Sequence, residues 1–89
     1  MVKAHETLHQ AAAAIEDRAA VRDLPNGERS MARCVRAFNS LTHNAMTVEQ
    51  GWLFMVCLKL ARATAGEVHA DDYVDAAGYS ALALEEVTE

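Results

Sequence analysis

From Thr47 to Glu86 the chain reads TVEQGWLFMVCLKLARATAGEVHADDYVDAAGYSALALEE, a pattern of two helices joined by a short polar loop. Thr47-x-x-Gln50 has the form of a capping box, in which a hydroxyl and an amide satisfy each other's backbone donors at a helix start. The helix it opens extends to about Thr64. Between Trp52 and Ala61 this helix is apolar at almost every position, so it presents no wide polar face. Such a helix must be covered on most sides, either at the centre of a bundle or against another subunit. Four short helices provide little cover, so an oligomer is expected, with Trp52, Phe54 and Met55 at the interface. The second helix is expected over about 72–86, with Asp71 as its N-cap, because aspartate accepts well from the free N–H groups of a first turn. Its inward face is expected to hold Tyr73, Val74, Ala77, Ala81 and Leu84.

Two further helices are expected upstream. Ala4, Leu8, Ala11, Ile15 and Ala19 recur at helical spacing, giving a first helix over about 2–22 with an alanine-rich stripe. Leu24-Pro25-Asn26-Gly27 then stops it, since proline cannot continue a helix and Asn-Gly is a turn dipeptide. The next helix is expected over about 28–41, with Met31, Cys34, Val35, Phe38 and Leu41 on its apolar face. The fold class is therefore all-α: one compact four-helix domain over residues 1–89.

At 89 residues a chain buries only about 60–65% of its unfolded surface. A core of that size is a second reason to expect self-association. Cys34 and Cys57 lie inside apolar helical patterns without CxxC spacing and read as reduced core thiols. No apolar run approaches the about 20 residues that cross a bilayer, and the first ten residues lack a signal-peptide core. A soluble, cytoplasmic protein is expected. The net charge of −5 is unevenly placed, because residues 1–45 carry a net +1 and residues 46–89 a net −6. An acidic half of this kind disfavours nucleic acid as a partner, since duplex binding requires a basic stripe to release counterions.

Three groups of residues could carry chemistry. Arg29, Arg33 and Arg36 share one helix face and, with Lys59 and Arg62, could hold a phosphate or carboxylate; a solvated charged face explains the arginines equally. Asp71, Asp72 and Asp75 lie within one turn and could ligate Mg²⁺, which prefers oxygen donors, or could simply complement a helix N-terminus. His5-Glu6-Thr7-Leu8-His9 formally matches HExxH, the helical zinc motif of metalloproteases. It begins too early for a substrate-binding strand to precede it and has no third ligand at metzincin spacing, so it reads as a chance match. No serine or cysteine sits in a nucleophile elbow, and no glycine-rich phosphate loop is present.

The segments ERSMARCVRAFNSLT (Glu28–Thr42), MTVEQGWLFMVCLKLARA (Met46–Ala63) and DDYVDAAGYSAL (Asp71–Leu82) resemble a family of small phage and prophage proteins of unknown function. The resemblance covers about half of the chain and implies a phage or prophage origin and a compact all-α domain. A more distant similarity is to MazG-like all-α nucleotide pyrophosphohydrolases, which bind Mg²⁺ through an EExxE pair followed by ExxD. Asp72-x-x-Asp75 could stand in for the second motif. The first is missing, with arginines on the second helix and apolar residues on the third where its glutamates would fall. The leading expectation is a non-enzymatic accessory protein, a helical oligomer that binds a host or phage protein without a cofactor. The alternative is a Mg²⁺-dependent nucleotide-binding or nucleotide-hydrolysing protein, and a remote one is zinc binding through His5 and His9.

Overall fold

The Thr47 hydroxyl accepts from the Gln50 N–H at 3.1 Å, while Gln50 Oε1 accepts from the Thr47 N–H at 2.9 Å. This reciprocal pair satisfies two donors that the helix itself leaves free, and fixes where the third helix begins. A computed structural model of the chain describes residues 1–22 and 30–88. It contains α1 (Ala4–Arg22), α2 (Ser30–Thr42), α3 (Val48–Ala63) and α4 (Ala70–Val87), and no strand among the described residues. The expected all-α, four-helix class is what the chain adopts. The Leu24–Gly27 turn and the first residues expected of the second helix lie outside the described residues.

At the start of α4 the structure differs from expectation. The N-cap is His69, with no side-chain hydrogen bond, and Asp71 lies exposed inside the first turn. The helix therefore starts earlier than the aspartates suggest, and Asp71 acts on the helix dipole by charge rather than as a cap. Before it, Thr64 ends α3 and Gly66 turns the chain at φ 112°, a conformation that a side chain would oppose.

The principal helix contacts are α3 with α4, α1 with α4, and α2 with α3. The packing is therefore a thin row, α1–α4–α3–α2, with extents of 43 × 31 × 22 Å. The shortest is about two helix diameters. Buried apolar residues are small: Ala11, Val35, Ala63, Val74, Ala76 and Ala83, with no large side chain fully enclosed. Of the α1 stripe, Ala11 is buried and Ile15 half-buried, whereas Leu8 is exposed.

The α2–α3 contact depends on Gly51. A Cβ there would stand 2.6 Å from Met31 Sδ and 2.8 Å from Val35 Cγ2, closer than packed atoms approach. The connection between these helices is fixed by Asn39, whose amide donates to Met46 O at 2.9 Å and accepts from Met46 N–H at 2.9 Å.

A buried ionic cluster and an uncovered apolar face

Helix α4 lies between α1 and α3, so two of its sides are covered. Its buried positions include Asp72, Ala76 and Ala83, and Asp75 and Tyr79 are half-buried. Tyr73, Ala81 and Leu84, expected inside, are exposed. The expected inward face is thus corrected. The aspartates turn inward because cations on the neighbouring helices meet them there.

Lys59 on α3 pairs with Asp75 Oδ2 at 3.0 Å, and both side chains are largely covered, at 15% and 16% exposure. Arg18 on α1 reaches the other oxygen, Asp75 Oδ1, at 3.4 Å. Arg18 also donates to Tyr79 Oη at 3.5 Å, with its guanidinium 5.9 Å from the Tyr79 ring centroid. Tyr79 stacks on Trp52 of α3 at 5.7 Å between centroids. One turn away, Arg62 Nε stands 3.8 Å from Asp72 Oδ1, a pair exposed on the arginine side. Asp75 therefore ties three helices together, α1 and α3 through cations and α4 through its own backbone. Among the described residues no buried side-chain nitrogen or oxygen lacks a hydrogen-bond partner.

The residues singled out for ligand binding are distributed as follows. Lys59 and Arg62 come together with Asp72 and Asp75, each cation facing a carboxylate of its own chain. Arg33 and Arg36 are exposed on α2, which packs on α3 around Gly51, two or more turns from Lys59. Arg29 lies outside the described residues. Among the described residues no group of three or more His, Cys, Asp or Glu side chains is gathered closely enough to hold a metal ion. His5 and His9 are exposed on α1, with ring centroids 6.2 Å apart. Sequence reasoning missed Arg18 and Tyr79 as members of the cluster. A signal for the α3–α4 part exists: Lys59 and Arg62 are spaced i, i+3, matching Asp72 and Asp75 on the next, antiparallel helix.

The opposite side of α3 is uncovered. Leu53, Phe54, Cys57, Leu58, Leu60 and Ala61 are all exposed, Phe54 at 62%. Cys34 and Cys57, expected in the core, are both exposed free thiols, because none of the described residues covers the outer arc of α3 or the adjoining edge of α2. Of the expected interface residues, Phe54 lies on this open arc. Trp52 turns inward onto Tyr79, and Met55 lines an apolar groove between α2 and α3. The groove holds about 220 Å³ and is lined by Met31, Cys34, Phe38, Met46, Phe54 and Met55, without a polar surface. It joins the open arc of α3 through Phe54.

An all-α row of four helices, with an ion-pair cluster on one side and an uncovered apolar face on the other, defines a small helical protein. Residues 6–87 match the model of a family described as a domain of unknown function, DUF6378, and the chain belongs to that family. No curated protein and no solved structure matches it. No described helix is long and apolar enough to cross a membrane.

Proposed function

We propose that the chain is a non-catalytic accessory protein that works by protein contact, assembling as a helical oligomer and binding a host or phage protein. The observation that carries this reading is the uncovered face of α3 with the adjoining groove. Contiguous apolar surface of this kind on a small protein marks a contact site, since water is a poor partner for it. Phage or prophage origin, and with it the cytoplasm of the host bacterium, is supported by the resemblance of the three segments between Glu28 and Leu82. The ionic cluster supports the absence of catalysis, because its cations and carboxylates neutralise one another.

Light-scattering mass of the purified protein tests the reading. The expected mass is a multiple of 9.7 kDa. Phe54→Glu should reduce it to one chain while keeping helical content, because Phe54 is already largely exposed within its own chain. A wild-type protein that is monomeric and unaltered by the substitution would remove the basis of the proposal.

A second reading rests on the meeting of Lys59, Arg62, Asp72 and Asp75: a MazG-like Mg²⁺–nucleotide site that also uses Asp71. It requires the metal to displace Lys59 from Asp75. A Mg²⁺-dependent thermal shift with one class of nucleoside triphosphate, lost in Asp75→Asn, would favour it over the first. Zinc binding through His5 and His9 remains the remote alternative, on the strength of the two exposed imidazoles alone.

A further inference from the structure

We infer that the uncovered face of α3 is occupied by a second copy of this chain, with the two α3 helices packed antiparallel about a two-fold axis beside Cys57. The inference rests on the reading of that face as a protein-contact surface and specifies its occupant and geometry.

Area supports a second copy. The chain exposes 6573 Å², whereas a folded monomer of its mass exposes about 5100 Å². Its radius of gyration is 14.1 Å, against about 12 Å for a compact domain of this length. The surplus belongs to the whole chain and leaves room for the about 800 Å² that each partner hides in a standard interface; Leu53, Phe54, Leu58 and Leu60 on the α3 face, 42–62% exposed, contribute to it. The core explains why the surplus needs cover: it consists of alanines and valines and encloses no large side chain.

The composition of the face suits self-pairing. Along its outer arc α3 presents Gln50, Leu53, Phe54, Cys57, Leu60 and Ala61, and Thr64 follows. None of these is charged, so two copies meet without like-charge repulsion. Of the charged residues of the same helix, Lys59 faces Asp75, Arg62 faces Asp72, and Glu49 lies half-buried in the first turn at the edge of the arc. The arc is also centred on Cys57, with three positions on either side. A two-fold axis there sets Gln50 against the partner's Thr64, Leu53 against the partner's Ala61, and Phe54 against the partner's Leu60. Polar ends thus meet polar ends, and large side chains meet smaller ones. A parallel pair would instead set Phe54 against Phe54 and Ala61 against Ala61, crowding one level and leaving a gap at another. The antiparallel arrangement also opposes the two helix dipoles. A small residue at the crossing point allows the helix axes to approach closely.

Thiol cross-linking with a short bis-maleimide tests this geometry on the full chain. Cys34→Ser leaves Cys57 as the single thiol. It should cross-link efficiently to twice 9.7 kDa, and Phe54→Glu added to it should abolish the product. In a Cys34→Ser/Cys57→Ser background, Thr64→Cys should remain uncross-linked, because antiparallel helices hold the two 64 positions about 20 Å apart. Cross-linking through Thr64→Cys as well would establish a parallel pair and overturn the geometry. A dimeric mass by light scattering without Cys57 cross-linking would also overturn it, leaving the protein-contact reading intact. A monomeric mass without cross-linking would remove both.

Discussion

Asp75 receives one cation from α3 and another from α1, and it sits where water reaches only part of its carboxylate. Its removal strands Lys59, whose side chain is as well covered as its own. An unpaired cation in a half-buried site costs more than the surface median for an ion pair. Asp75→Asn is therefore expected to lower stability by about 1–2 kcal/mol. For a domain of this size each kcal/mol is roughly 4–8 °C in Tm. Asp71→Asn, on the exposed side of the same turn, should change stability by about 0.5 kcal/mol or less. Equal effects from the two, read by thermal denaturation, would contradict the placement of Asp75 at a three-helix junction. The aspartates are legible in the sequence as a cluster but not as an inward-facing one. Hydropathy assigns a carboxylate to water, and only the opposing cations of α1 and α3, one of them 57 positions away, reverse that assignment. The same blindness misplaced Tyr73, Ala81 and Leu84, which occupy the arc of α4 that remains after the aspartates turn in.

Between elements, two glycines have opposite value. Gly51 lies where α2 meets α3, with Val35 as a stiff neighbour, and any Cβ forces the helices apart. Gly78 is buried beside Ile15 of α1, but a Cβ there would sit at an ordinary 3.8 Å. Gly51→Ala is expected to destabilise by about 1–3 kcal/mol through overpacking, reduced by up to about 1 kcal/mol of helix propensity. Gly78→Ala should stabilise by about 0.5–1 kcal/mol, since it removes backbone freedom from the unfolded chain without a clash. Chemical denaturation midpoints decide both signs, and a stabilising Gly51→Ala would mean that α2 does not press on α3 at that point. The existence of four helices was legible because period, caps and breakers agree locally. The close approach at Gly51 was not, because it depends on which face of α2 arrives there.

At the scale of the whole molecule, the class of fold follows from the sequence, and the layering does not. The apolar run of α3 suggests either a centre surrounded by the other three or a subunit interface, with the interface the leading expectation. The structure puts α4 between two neighbours and leaves one side of α3 open, with Leu53, Phe54 and Leu58 exposed. Ion pairs accompany this layering: Asp75 meets cations of both α1 and α3, and Asp72 one of α3. The apolar surface of α3 then exceeds what α2 alone can hide. The same excess that made α3 look like a core helix is the surface on which the protein-contact proposal rests.

Asn39 has a mechanical consequence. Its two-way hydrogen bond to Met46 holds the C-terminal part of α2, while Gly51 meets Met31 and Val35 toward the other end. The helix is thus a beam held at two points rather than a lever on one pivot. A beam so held keeps its distance from its neighbour, so the groove between Met31 and Met46 keeps its width. Amide exchange should accordingly be as slow at Val35 as at Phe38. Asn39→Ala should raise exchange at the C-terminal end of α2 while leaving that of α4 nearly unchanged. Gly51→Ala should instead loosen α2 at Met31 and Val35, so the two supports can be released one at a time.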